Sequence, residues 1–271
     1  MTITKAIIPV AGWGTRRLPI TKTIEKCMLP IGNRPLVDYV VQDCLKAGIT
    51  ELIFVVGEGS TQLEDYYRSN IKLNDYLRRN GKEDKLPLVA PLQDIRLHFV
   101  VQPSHGKYGT AVPVALASEY IEPGESAVVL MGDDFIWNQD DSSEVARLIE
   151  STPEGSCSLL AARVPKEDIS SYGVIETDEQ GNFVRSVEKP SPEEAPSDLI
   201  NISKYVLTRE VIDACRELPA SPRGEYELPE AVNNFVSAGG QVRVVPAVGQ
   251  YLDGGSVEGW LHANNVVLKK G

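Results

Sequence analysis

The sequence predicts an α/β fold, a mixed but mainly parallel sheet flanked by helices with a smaller β-rich part, and three observations carry that reading. Short apolar runs alternate with amphipathic segments of helical length through the first half of the chain. The first of these runs leads straight into a glycine-rich loop, GWGTRRLP. A later, wholly apolar run ends on Gly-Asp, which puts a carboxylate where ligands gather at the carboxyl ends of parallel strands.

The elements follow in chain order. Residues 6–10 read as a buried first strand rather than as a signal peptide, because the apolar run is short and continues into the glycine loop. Pro35 suits the first turn of a helix, where its missing N–H costs nothing. Val37, Val40, Val41 and Cys44 continue it at helical spacing, and Gly48 supplies a stop. Residues 52–56, 98–102 and 127–131 are further strands, each followed by a polar or glycine-rich turn. Strands separated by helices need crossover connections, hence a parallel, Rossmann-like arrangement. Residues 60–97 interrupt the rhythm with charged, helix-prone sequence broken by Pro87 and Pro91. A solvated helical excursion on the sheet's rim is expected there, in preference to a lid or an oligomer contact.

In the second half, GVIETDEQGNFVRSVEKP reads as a β-hairpin turning at residues 178–181. A proline-rich linker, PSPEEAPSD, comes next, followed by helices near 208–218 and 227–238 and a strand at 241–246. The loop YLDGG and a terminal helix close the chain. With no internal repeat, a single domain over 1–271 is expected, its halves dividing at about residue 135.

Composition narrows the function. A net charge of −11 argues against nucleic-acid partners, whose binding depends on basic surface, but not against phosphate ligands held by a few local cations and backbone amides. No run approaches the roughly 18 consecutive apolar residues of a membrane helix, so no membrane partner is expected. Cys27, Cys44, Cys157 and Cys215 form no CxxC pair, and a cytoplasmic setting fits them.

The glycine loop allows backbone amides to approach phosphate oxygens, with Arg16 and, in EKCMLP, Lys26 nearby to neutralise them. It is neither a Walker loop nor GxGxxG, since Leu18 and Pro19 stand where the third glycine and its helix belong. That counts against a dinucleotide-dependent oxidoreductase. Asp133, with Asp134 as the neighbouring alternative, could hold Mg²⁺ together with Asp253 if the sheet brings them together. Lys189 lies between a carboxylate and a proline, where an extended backbone is expected.

Taken in order, AGxGTRxxPxTK, EKxMLP, the strand-end Gly-Asp, Tyr172-Gly173-Val174 and Glu188-Lys189-Pro190 resemble the sugar-1-phosphate nucleotidyltransferases. The pattern is most similar to the bacterial UTP–glucose-1-phosphate uridylyltransferases and spans residue 7 to about 260. The resemblance implies attack of a sugar 1-phosphate on a nucleoside triphosphate with release of pyrophosphate, Mg²⁺ as cofactor, and a homo-oligomer, dimer or tetramer. It assigns the nucleotide to Ala11, Gly12, Gly14, Thr15, Arg16, Lys26, Gln102, Gly109 and Asp133, with Gln102 on the pyrimidine edge. The sugar phosphate falls to Gly173, Glu188, Lys189, Asn201 and Tyr205, the metal to Asp133 and Asp253, and catalysis to Arg16, Lys26 and Lys189.

One segment departs from the pattern. Gly106-Lys107-Tyr108-Gly109-Thr110 replaces the usual Lys-Gly-Leu-Gly-His, so that Lys107 stands at a glycine position. Alternatives within the reading are dTTP or another hexose phosphate as substrate, and a non-catalytic regulatory relative. The presence of Arg16, Lys26, Asp133, Lys189 and Asp253 together argues against the last.

Overall fold

The computed structural model describes residues 2–269. The chain begins with β1 (Lys5–Pro9), passes through short 3-10 turns at Thr15–Arg17, Ile20–Lys22 and Lys26–Met28, and forms the small hairpin β2 (Pro30–Ile31) and β3 (Arg34–Pro35). Then come α1 (Leu36–Lys46), β4 (Glu51–Gly57), α2 (Gln62–Tyr67), α3 (Ile71–Arg79), β5 (Arg96–Gln102), α4 (Ala111–Ala117), β6 (Ser126–Leu130), β7 (Asp134–Trp137) and α5 (Glu144–Glu150). The second half continues with β8 (Cys157–Arg163), β9 (Gly173–Thr177), β10 (Phe183–Glu188), β11 (Leu199–Thr208), α6 (Arg209–Ala214), α7 (Leu228–Ser237), β12 (Val242–Pro246), β13 (Gln250–Asp253) and α8 (Val257–Leu268).

β6, β1, β4 and β5 lie side by side in parallel, as their crossover helices require. The long strand β11 joins the two halves. Its residues Lys204–Thr208 run antiparallel to β6, while its opposite edge pairs with β8, which carries β12 in parallel. Near its start Ile200 meets Val174 of the β9–β10 hairpin. Alternate residues of each buried strand feed opposite faces of the sheet. Ile8, Phe54 and Leu130 pack with α1 and α5 on one face, and Ile7, Ile53 and Val129 with α4, α6 and α7 on the other.

Several expectations need correction. Pro35 caps α1 rather than starting it, with the first helical residue at Leu36. The helical excursion is present in α2 and α3, but it ends before Arg96, which already belongs to β5. The loop carrying Arg16 and Lys26 coils into 3-10 turns, and the two residues come close in space. YLDGG is not simply a loop: its first residues form β13, antiparallel to β7 with Asp253 opposite Asp134. Its alternation was too short to recognise without the partner strand. Lys189 is not extended but sits at φ 47, in the left-handed region. Its N–H donates to Tyr172 O at 3.0 Å, and this long-range bond overrides the local preference before proline.

The β7–β13 pair is locked into the body of the sheet by a buried ion pair. Lys204 on β11 contacts an Asp134 carboxylate oxygen and reaches Asp134 O at 3.3 Å, while the Tyr251 hydroxyl donates to the other carboxylate oxygen at 3.1 Å. Burial pushes the Asp134 carboxyl up to about 6 against the pull of Lys204. Replacing Lys204 by Met leaves a buried carboxylate without its cation, which should cost about 3–5 kcal/mol near neutral pH. Without Lys204 the Asp134 carboxyl titrates higher than the about 6 it has in the intact pair, so the loss should shrink as pH falls towards 6 and the variant's carboxyl becomes neutral first. Urea unfolding of Lys204→Met at pH 7.5 and pH 5 measures this, and a loss below about 1 kcal/mol at pH 7.5 would remove the pair's structural role.

Candidate active site

The carboxyl ends of β1, β5 and β6 open onto a cleft of about 300 Å³. The nine residues assigned to the nucleotide, Ala11, Gly12, Gly14, Thr15, Arg16, Lys26, Gln102, Gly109 and Asp133, all line it. Local structure explains why they meet. Gly14, at φ 62, starts the 3-10 turn that carries Thr15 and Arg16, and Thr21 Oγ1 donates back to Gly14 O at 2.9 Å. Lys26 begins the third turn, which is braced by neighbouring residues: Ser60 Oγ donates to Glu25 at 2.8 Å, and Glu25 N donates to Gln62 Oε1 at 3.1 Å.

The charged groups converge from three parts of the chain. Lys26 Nζ forms an ion pair with Asp133 Oδ2, the lysine largely buried and the aspartate about one-third exposed. A Cβ placed on Gly255 would lie 2.7 Å from Asp253 Oδ1, 3.2 Å from Lys26 Nζ and 3.4 Å from Arg16 Nη2. That one point therefore gathers both predicted cations and the second predicted carboxylate. Gly254 makes the approach feasible, since a Cβ there would overlap Leu36 Cδ1 at 1.8 Å, and its N–H donates to Asp133 O at 3.1 Å. Burial pushes the Asp133 carboxyl up, but the adjacent Lys26 ammonium, with Lys204 and Arg16 behind it, outweighs this and holds it below the usual range.

Of the two neighbouring aspartates, Asp134 has both carboxylate oxygens engaged inside the fold, which leaves Asp133 as the one facing the cleft. Among the described residues no group of three or more His, Cys, Asp or Glu is arranged to hold a metal. Asp133 and Asp253 fit the opposite case, a hard dication bound by one or two carboxylates with the remaining ligands drawn from phosphate and water.

The sugar-side residues stand apart from this lining. Gly173 and Glu188 are cross-strand partners at the open end of the β9–β10 hairpin, and a Cβ on Gly173 would lie 3.1 Å from Glu188 Oε2. Glu188 is exposed and lies 3.8 Å from Arg223. Lys189 follows it and is held through its backbone to Tyr172, whose hydroxyl is pushed up by burial and by the negative field of Asp253, Asp168 and Asp134. The hairpin end thus borders the acidic side of the cleft.

Tyr205 does not join that surface, and half-buried Asn201 is bonded to it. Tyr205 is 0% exposed within the core, and its hydroxyl meets the Asn201 amide at 2.8 Å. Asn201 Oδ1 accepts from Ser203 N at 2.9 Å and so closes the bulge in β11. The alternation in LINISKYVL belongs to a central strand, and that strand buries the tyrosine.

The sequence reading missed other residues. Arg17, next to Arg16 and indistinguishable from it by type, turns inward: it donates to Ser256 O and stacks over Trp260 at 5.2 Å. Tyr108 and Glu225 also line the cleft, the latter from a segment with no motif of its own.

Comparison with known proteins agrees with this architecture. Residues 5–270 match the family described as nucleotidyl transferase. A Streptococcus pyogenes protein named UTP–glucose-1-phosphate uridylyltransferase is 39% identical over 243 residues, covering 86% of this chain and 78% of its own. The crystal structure of a UDP-glucose pyrophosphorylase complexed with UDP-glucose superposes with a TM-score of 0.84 at 29% identity, covering 100% of both chains. A UTP-bound UGPase from Acinetobacter baumannii gives 0.89 at 25% identity, covering 100% of this chain and 95% of its own. With a family match spanning nearly its whole length, the chain belongs to the nucleotidyl transferase family.

Proposed function

We propose that this protein transfers the uridylyl group of UTP to glucose 1-phosphate, forming UDP-glucose and pyrophosphate. The observation that carries the reading is the convergence of Arg16, Lys26 and Asp253 on Gly255, with Asp133 bound to Lys26. The activity named for its relatives supports the choice of base and sugar. The first half of the chain, to about residue 135, serves the nucleotide, and the second half serves the sugar phosphate.

In this reading no protein nucleophile is needed. The phosphate oxygen of glucose 1-phosphate attacks the α-phosphorus of UTP in line, the bond to the β-phosphate oxygen breaks, and pyrophosphate leaves. The chain contributes positioning and charge. Amides of the 11–15 turn and the Arg16 and Lys26 cations hold the triphosphate and stabilise the charge that grows on the leaving pyrophosphate. Gln102, at the end of β5, hydrogen-bonds the pyrimidine edge. Glu188 accepts from sugar hydroxyls, and Lys189 orients the attacking phosphate. Asp133 and Asp253 would hold Mg²⁺, which when bound neutralises phosphate charge between the two substrates. We place the enzyme in the cytoplasm, in keeping with its four buried, free cysteines, and as a dimer or tetramer. Pyrophosphate release measured with four nucleoside triphosphates against several sugar 1-phosphates tests the whole reading, and no release with UTP and glucose 1-phosphate would overturn it.

Removing either carboxylate, by Asp133→Asn or Asp253→Asn, should leave the fold intact and lower turnover by ~100-fold, on the order of 3 kcal/mol of transition-state stabilisation. A variant that keeps more than about half of wild-type activity at saturating Mg²⁺ excludes that residue as a ligand.

The sugar side makes a separate prediction. Lys189→Ala should lower kcat/KM by about 2–4 kcal/mol while UTP binding, measured by calorimetry, changes far less. Arginine should rescue only in part, because a planar fork does not replace a compact ammonium. Glu188→Ala should chiefly raise the KM for glucose 1-phosphate. Equal effects of Glu188→Ala on both substrates would remove its assignment to the sugar hydroxyls.

A further inference from the structure

The segment that departs from the family pattern, residues 106–110, is fastened to the second half of the chain by bonds of its own. Tyr226 N donates to Tyr108 O at 2.8 Å, and Ala111 N donates to Tyr226 O at 2.9 Å. Leu228 N donates to Thr110 Oγ1 at 2.9 Å. Gly109 sits at φ 132 with so little room that a Cβ would stand 2.2 Å from Tyr226 O. The base end of the cleft is therefore built on Tyr226.

Lys107 closes this arrangement from outside. Its ammonium lies 4.7 Å from the centroid of the Tyr226 ring, and it donates to Arg216 O at 3.3 Å. A cation over an aromatic face and a bond to a carbonyl tie the exposed turn to the α6–α7 connection at two points. The adjacent Tyr108 is 55% exposed and forms part of the cleft wall together with Gln102. It also lines a neighbouring pocket of about 290 Å³ bordered by Trp13 and Glu58.

We propose that Lys107 is a positioning residue for the nucleotide, a latch that clamps the base-side turn 106–110 onto Tyr226 and so fixes the Tyr108–Gly109 wall of the cleft. This rests on the reading of that cleft as the UTP site. Lys107 is exposed and lies outside the charged cluster, so its removal should spare both the fold and the chemical step.

The test compares wild type, Lys107→Ala and Lys107→Arg. Lys107→Ala should weaken UTP binding, by calorimetry, about five- to tenfold, the scale of one lost cation–π contact and one lost hydrogen bond. Its kcat and its KM for glucose 1-phosphate should stay within about twofold, with Tm lowered by no more than about 4 °C. Amide exchange at Ala111, Tyr226 and Leu228 should rise in the same variant. Lys107→Arg should restore both UTP affinity and exchange protection, because a guanidinium stacks on a ring and donates to a carbonyl equally well. UTP affinity within twofold of wild type in Lys107→Ala, unchanged exchange, or an equal loss for both substrates would overturn the proposal. If the wild-type protein bound no UTP, the substrate reading would fall and the nucleotide role of Lys107 with it, while the exchange comparison would still report whether the latch exists.

Discussion

The cleft depends on Asp134 being taken out of it. Two aspartates follow each other after β6, and either could serve a cation by type alone. Lys204 draws Asp134 into the protein, and Tyr251 satisfies its second oxygen. Removing both charges from water costs several kcal/mol per ion, a cost offset only when geometry and extra hydrogen bonds are good, as they are here. The pair thereby fixes β7 against β11 and sets the β7–β13 register that puts Asp253 opposite Asp134. Asp133 is left at the preceding turn, facing Lys26. The positions of the two cleft carboxylates are inherited from an ion pair that lies outside the cleft.

A second constraint is that the loop carrying Arg16 and Lys26 is not self-supporting. Its turns are 3-10 and short, and their amides gain little from one another. Stability comes instead from distant parts of the chain. Arg17 binds the start of α8 through Ser256 and Trp260, and Gln62 Nε2 at the start of α2 holds Thr23 O at 2.7 Å. Arg17 carries a cost, since burial pushes its pKa down while Asp253 and Glu258 hold it up. This explains how a chain with a net charge of −11 maintains a local cationic site: one arginine is spent on structure so that its neighbour can remain exposed.

Much of the fold was legible because its first half obeys simple periodicity. β1, β4 and β6 are buried on both faces and read as continuous apolar runs, while β5, at the sheet's edge, is half-buried and read from a shorter run, and each has a turn signal after it. The second half was harder because most of its strand pairs are antiparallel and some strands are very short. β7 and β13 have four residues each and are defined by one another. β11 was visible only as a stretch with an attractive Asn and Tyr, and burial of Tyr205 was settled by its neighbours β6 and β8. In the cleft, the motif residues were legible because their spacing is unusual. Glu225 and Tyr108 had no such pattern, and Arg17 was hidden by its likeness to Arg16.

Among the described residues of the second half, Asp141, Lys189 and Ser203 occupy the left-handed region, and the last two differ in what supports them. Ser203, at φ 52, sits in the bulge of β11, where Asn201 Oδ1 accepts its N–H at 2.9 Å. The bulge lets one strand pair with both β8 and β6, so the sheet itself accounts for that conformation. Lys189, at φ 47, has no such bulge to serve. It lies just beyond the paired end of β10, immediately before a proline that disfavours helical backbone, and a single hydrogen bond to Tyr172 O is its local support. A left-handed residue of this kind costs on the order of 1–2 kcal/mol and persists where its surroundings over-determine it. Lys189 is also the cation nearest in sequence to Glu188, whose partner Gly173 follows the tyrosine that anchors it. The sheet accounts for the strain at Ser203; it gives no such account at Lys189, and that difference agrees with the role proposed above for this lysine.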